Sequence, residues 1–150
     1  MRRQASDNAY LHKDFHGALS GGLEYIQDRY GEQAVRDYLR QFALSYYAPL
    51  REQLRAKGLE ALKQHIERIY AIEGGAPRIT GGPDELRVEV DACPAVQHMR
   101  AHGYPVARMW HETTKTVNEV ICEGSPFGAE LVSYDPQSGA SVQRFYRRRP

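Results

Sequence analysis

The residues EGGAP, at 73–77, divide the chain into two parts whose apolar residues repeat with different periods. Before them, apolar side chains recur every three or four positions, the spacing of one helix face. After them, LRVEVD (86–91) alternates apolar and polar residues, as a half-buried strand does. With 150 residues the chain has room for one domain with one core. Helical periodicity followed by strand periodicity places that domain in the α+β class.

In the first part, Leu11, Phe15, Leu19, Leu23, Ile26 and Tyr30 share a helix face, with Asp7 as its N-cap and Gly31 as its stop. Gly17, Gly21 and Gly22 interrupt this helix at a cost of about 1 kcal/mol each, which implies a close backbone approach to a neighbour or ligand, or a bend. A second helix carries Ala34, Val35, Tyr38, Leu39, Phe42 and Tyr46, and Pro49 breaks or bends it. A third follows Gly58 with Leu59, Leu62, Ile66, Ile69 and Tyr70. In the second part, residues 78–80 form a short strand before the turn-rich TGGPDE, and residues 94–102 and 114–122 form short helices. AELVSYD and ASVQRFY flank PQSG as a hairpin. The expected architecture is a single domain over residues 1–150: N-terminal helices packed on a small, mainly antiparallel sheet of about four strands, with two short helices inserted.

Charge narrows the partners. Twenty Lys and Arg against nineteen Asp and Glu give a net charge of +1, so no strong field draws nucleic acid or an anionic membrane. RFYRRRP, at 144–150, is basic and aromatic, but no nucleic-acid motif accompanies it. No stretch approaches the roughly 20 apolar residues of a membrane span, and no apolar run follows Arg2 and Arg3 as a secretory signal requires. Cys93 and Cys122 are too few for a disulfide framework and read as free thiols in the cytoplasm. The expected partner is a small-molecule substrate, and ten tyrosines suit an aromatic pocket or a homo-oligomeric interface.

Cys93 is the leading chemical candidate. It follows a predicted strand and precedes Pro94, a residue favoured in the first turn of a helix. At a helix N-terminus, unpaired N–H groups and the helix dipole favour an anion and lower a thiol's pKa. The competing account is a buried structural cysteine. His98 and His102, like His12 and His16, share a helix face at i, i+4. Neither pair is joined by the further ligands of a zinc site, so no metal and no cofactor is assigned, and edge-of-core histidines are the plainer account. In MWHETTK (109–115), His111 is a candidate general acid or base and Trp110 a pocket wall. The alternative makes Trp110 core and Glu112 a first-turn acid that suits the helix dipole. Cys122 falls at a helix C-terminus, where a thiolate is disfavoured. Tyr104 and Phe127 are further candidate walls, and Arg144 a candidate clamp for a carboxylate.

The segments VDACPA (90–95) and GASVQRFYRR (139–148), with YIQDRYGEQAVRDYL (25–39) in the helical part, resemble the L-2-amino-thiazoline-4-carboxylic acid hydrolase family. The resemblance implies hydrolytic ring opening of a small cyclic amidine bearing a carboxylate, with N-carbamoyl-cysteine as the product of the named substrate. On this reading Cys93 attacks the amidine carbon or polarises a water. His111 moves the proton, assisted by Glu112 or His98, and Arg144 or the start of the Pro94 helix holds the carboxylate. The alternatives are a non-catalytic small-ligand-binding domain with Trp110, Tyr104 and Phe127 as walls, and a metal-binding protein built on the His pairs and cysteines.

Overall fold

A computed structural model describes residues 9–150, with side chains from residue 14 onward. Asp7 lies outside the described residues, as does the side chain of His12. The described chain runs α1 (Ala9–Tyr30), α2 (Glu32–Tyr46), α3 (Ala48–Lys57), α4 (Leu59–Glu73), β1 (Arg78–Gly81), β2 (Glu85–Val90), α5 (Pro94–Ala101), α6 (Glu112–Cys122), β3 (Phe127–Tyr134) and β4 (Ser141–Arg147). The strands form one antiparallel sheet in the order β1-β2-β4-β3. This is the expected α+β arrangement, with the early helices and the two inserted ones covering one face of the sheet.

Alternation along the strands defines that face. Leu86, Val88 and Val90 of β2 point inward, and Ser141, Gln143 and Phe145 of β4 continue the layer. Val35, Leu39, Leu54, Leu62, Val96, Met99, Val117 and Ile121 close over it from the helices. The outer face is polar and laced with cross-strand ion pairs, such as Arg78 with Glu89 and Asp91.

Two helical details differ from the periodicity. Phe15 and Tyr30 are 54% and 69% exposed, so the buried stripe of α1 is shorter and centres on Leu19, Ser20, Leu23 and Ile26. Ser20 belongs to it because its hydroxyl donates to Pro105 O (2.7 Å) and accepts from Ala107 N (2.7 Å), pinning the α5–α6 connection to α1. Residues 48–57 form a helix of their own. Pro49 sits in its first turn, where no N–H is missed, and Leu50 and Leu54 bury one face. Of the three α1 glycines only Gly17 is close to a neighbour, since a Cβ there would lie 3.1 Å from the Tyr104 ring; Gly21 and Gly22 face open space. Among the described residues no helix is long and apolar enough to cross a membrane.

Candidate active site

Cys93 is the N-cap of α5, with extended dihedrals (φ −79°, ψ 123°) and Pro94 behind it. Its N–H donates to Ser138 O (3.0 Å) and its carbonyl accepts from Gln97 N (2.9 Å). The β3–β4 turn is folded against it. A side chain at Gly139, whose φ is +71°, would collide with the Cys93 Cβ, so glycine is required there for both backbone and space. Arg100 of α5 clasps the same turn through Gln137 O (2.6 Å) and Pro136 O (3.0 Å).

The strand-to-helix junction is as expected, but the thiol's ionisation is not. Burial pushes Cys93 up from its ordinary range, and the nearby Glu73 carboxylate adds to the shift. The Ala95 and Val96 N–H groups favour the thiolate without closing a capping hydrogen bond, and they are outweighed. Cys93 therefore rests as a neutral thiol and needs a base.

The carboxylate that acts on its charge belongs to the end of α4. Glu73 is the last residue of that helix, and its carboxylate pairs with His16 Nε2 of α1 at 3.1 Å. Both side chains are largely shielded, and the edge of Trp110 stands against the His16 ring with centroids 6.1 Å apart. Glu73 also acts electrostatically on Tyr47 and Tyr70. Gly75 makes this junction close enough: a Cβ there would come within 2.7 Å of the Tyr70 ring and 3.2 Å of Pro94. The EGGAP segment thus does more than stop a helix; it seats Tyr70 beside the start of α5.

The sheet adds a polar floor. Gln143, buried on β4, accepts from Asn118 Nδ2 (2.9 Å) and donates to Ser141 Oγ (3.1 Å), and it slightly offsets the effect of burial on the Tyr70 phenol. Burial pushes Tyr70 far above the ordinary phenol range, and Cys93, once ionised, adds to the shift. The same two causes bring Tyr134 to about 12. Tyr134 reaches the inner face because a bulge between Leu131 and Ser133 shifts the register by one residue and sets it opposite Ser141. The His111 ring lies 5.9 Å from it, centroid to centroid.

The residues singled out in the sequence divide into two groups. Cys93, Trp110 and His111 line this region, with His111 on the Tyr134 side. The remainder have contacts of their own, and one of them, Glu112, also meets His111 (Oε1 to Nε2 3.5 Å). Glu112, 2% exposed, accepts from Arg36 Nε (3.2 Å) and Thr116 Oγ1 (2.6 Å), and so fastens α2 to α6. His98 pairs with Asp14 (3.2 Å) and lies against His102 with the rings tilted (centroids 4.1 Å), with Tyr104 beside both rings. Phe127 is core, capped by the Arg147 guanidinium. Arg144 lies over Tyr146 and pairs with Glu85 and Glu130. Its strand position is outward, so it is not available as the carboxylate clamp. Cys122 is fully buried and pushed up to about 12, chiefly by burial.

The sequence reading did not single out Glu73, Tyr70, Tyr134 or Gln143 for the site, and it took His16 only as half of an i, i+4 pair. Among the described residues no group of three or more His, Cys, Asp or Glu side chains is arranged to hold a metal ion. No family model matches the chain, and no curated protein matches its sequence.

Proposed function

We propose that the protein is a cysteine-dependent hydrolase of a small, non-peptide substrate whose reacting carbon is bonded to nitrogen or sulfur. Within that class, the sequence resemblance directs the choice to a cyclic amidine of the L-2-amino-thiazoline-4-carboxylate kind. The observation that carries the reading is the Cys93 thiol at the N-terminus of α5, neutral at rest, on which the carboxylate of the shielded Glu73–His16 pair acts. A nucleophile, a base and a group that orients the base are the parts such chemistry needs.

The step runs as follows. The Cys93 proton passes to the Glu73–His16 pair as the Sγ–C bond forms at the amidine carbon. The carbon–sulfur bond of the ring breaks, and the departing sulfur takes up a proton. Water then attacks the same carbon, the C–Sγ bond breaks, and the thiol and a ureido product are released. With Arg144 engaged on the outer face, the amino end of α5 is the place left for a substrate carboxylate.

A non-catalytic binding domain is the second reading, and the raised Cys93 pKa favours it, since a binder has no need of a thiolate. Incubating purified protein with L-2-amino-thiazoline-4-carboxylate and following ureido product and free thiol decides between them. The hydrolase reading expects turnover that Cys93→Ala abolishes and Glu73→Gln lowers by about 10²-fold or more. Turnover that survives Cys93→Ala rules it out. Saturable binding without turnover supports the second reading.

A further inference from the structure

The turn that joins α6 to β3, residues 123–125, is surrounded by arginines from other parts of the chain. Arg40 of α2 donates from Nη2 to Glu123 Oε1 (2.6 Å). Arg51 of α3 donates from Nη2 to Glu123 O (3.0 Å). Arg148, held after β4 by its own N–H on Pro126 O (2.8 Å), reaches Ser125 O with Nη1 (3.5 Å). Arg55 follows Arg51 by one helical turn and shares its face of α3. Gly124 stands between these two. A Cβ there would lie 3.8 Å from Arg51 Nη2 and 3.8 Å from Arg55 Nη1, with no other group so near. The exposed glycine thus leaves a small open floor walled by guanidinium groups.

Charge at this floor is out of balance. Among the described residues Glu123 is the one carboxylate paired with any of these arginines, and its partner is Arg40. Asp37 acts on Arg40 only at longer range. The Arg40 hydrogen bond first, and then the charges of Arg40, Arg51 and Arg148, outweigh burial and hold the Glu123 carboxyl below its usual range. Arg51, Arg55 and Arg148 have no carboxylate of their own among the described residues. Cations at the carbonyl end of α6 suit its dipole, which accounts for Arg51 and Arg148. It does not account for Arg55, which has no hydrogen-bond or ion-pair partner among the described residues. Nor does it satisfy Arg51 Nε, which is out of solvent and without an acceptor. Acceptors are what the turn lacks. One planar carboxylate is satisfied by one guanidinium fork, whereas forks converging from separate segments suit a tetrahedral anion with several oxygens.

We propose that the α6–β3 turn binds a phosphate dianion, free or as the end group of a small phosphomonoester, held over Gly124 by Arg51, Arg55 and Arg148. Arg40 stays with Glu123 at the edge of the site. None of these residues takes part in the Cys93 step, so the site stands or falls independently of that reaction.

Titrating the ¹⁵N-labelled full chain with inorganic phosphate, at an ionic strength held constant with sodium chloride, tests it by NMR. Amide shifts at Gly124 and Ser125 are expected to saturate. Arg55→Gln and Arg148→Gln are each expected to weaken binding about 10-fold or more. Arg87→Gln, on the outer sheet face, removes the same charge and should leave the affinity unchanged. Because Arg55 holds no other part of the fold, its variant reads the ligand alone. Glycerol 3-phosphate binding more tightly than phosphate identifies a monoester as the ligand, and equal affinity identifies the ion; both support the site. Shifts that fail to saturate, or that chloride alone reproduces, overturn it. So does an Arg55→Gln protein that binds phosphate as wild type does. Binding to vesicles carrying phosphatidic acid, with neither soluble ligand bound, gives the arginines to a membrane surface and also overturns the small-ligand site.

Discussion

At residue 93 two influences oppose each other. Helix N-terminal N–H groups lower a thiol's pKa, and burial raises it; here burial is the larger. Alkylation of Cys93 by iodoacetamide should therefore keep rising above pH 9, beyond the midpoint of an ordinary thiol at about 8.5. A rate that has levelled off by pH 7.5 would mean that the helix end prevails. Glu112 is the opposite case. Burial raises its pKa, but the hydrogen bonds from Thr116 and Arg36, with the His111 charge, outweigh burial and hold it below its usual range. It is ionised at neutral pH and works as a clamp between α2 and α6. Glu112→Gln keeps its shape and loses the charge, which should lower unfolding stability by about 1–3 kcal/mol. The loss should appear in urea unfolding at pH 7 and shrink as pH falls below the ordinary carboxylate range, since the Glu112 pKa is lowered in the folded protein. A full-sized effect on turnover with unchanged stability would return Glu112 to the reaction.

At the scale of elements, most of the architecture was legible and most of the site was not, for one reason. Periodicity reports what a residue does within its own element. It revealed α1, α2, α4, β2 and the terminal hairpin because each keeps a single period over several turns or residues. It passed over α3, whose buried face in ten residues amounts to Leu50 and Leu54. The site depends on how elements meet. Strict alternation places Ser133, not Tyr134, on the inner face of β3; the bulge reverses this, and no local pattern announces it. Glu73 read as the end of a helix and His16 as half of an exposed or edge-of-core pair, and only the tertiary packing of α1 on α4 joins them. The β3–β4 turn shows the same dependence. Gly139→Ala sets a Cβ against Cys93 and requires φ near +71° of a residue that disfavours it, so stability should fall by about 1–3 kcal/mol. The Cys93 alkylation rate should change with it. An unaltered melting temperature and an unaltered rate would show that the turn does not bear on the thiol.

For the molecule as a whole, the shifted groups define a pH range of stability. On the acid side, His65 is lowered, chiefly by burial, so its contribution is present above its unfolded pKa near 6.5 and is lost as pH falls through the folded value. Glu24, Glu89, Asp91, Glu112, Glu123 and Asp135 are lowered as well, and their contributions are lost below the ordinary carboxylate range. Most of these are exposed ion pairs of the outer sheet face and the helix ends, individually weak and screened by salt. On the alkaline side Cys93, Cys122, Tyr47, Tyr70 and Tyr134 are all raised. The stability they contribute is complete below their unfolded values, near 9.0 for the thiols and 10.0 for the phenols, and is lost as pH climbs towards the folded ones. Urea unfolding should give a plateau from roughly pH 7 to pH 9, a gradual acid limb and a steeper alkaline one. Adding 1 M NaCl should flatten the acid limb, where surface pairs dominate, and leave the alkaline limb in place, because the five groups behind it are buried and answer to desolvation. Tyr70→Phe should make the alkaline limb shallower, since the phenylalanine ring has no proton to lose. A stability that stays level to pH 11 would mean that these hydroxyl and thiol groups are solvated in the folded protein, and the buried polar site around Cys93 would not stand.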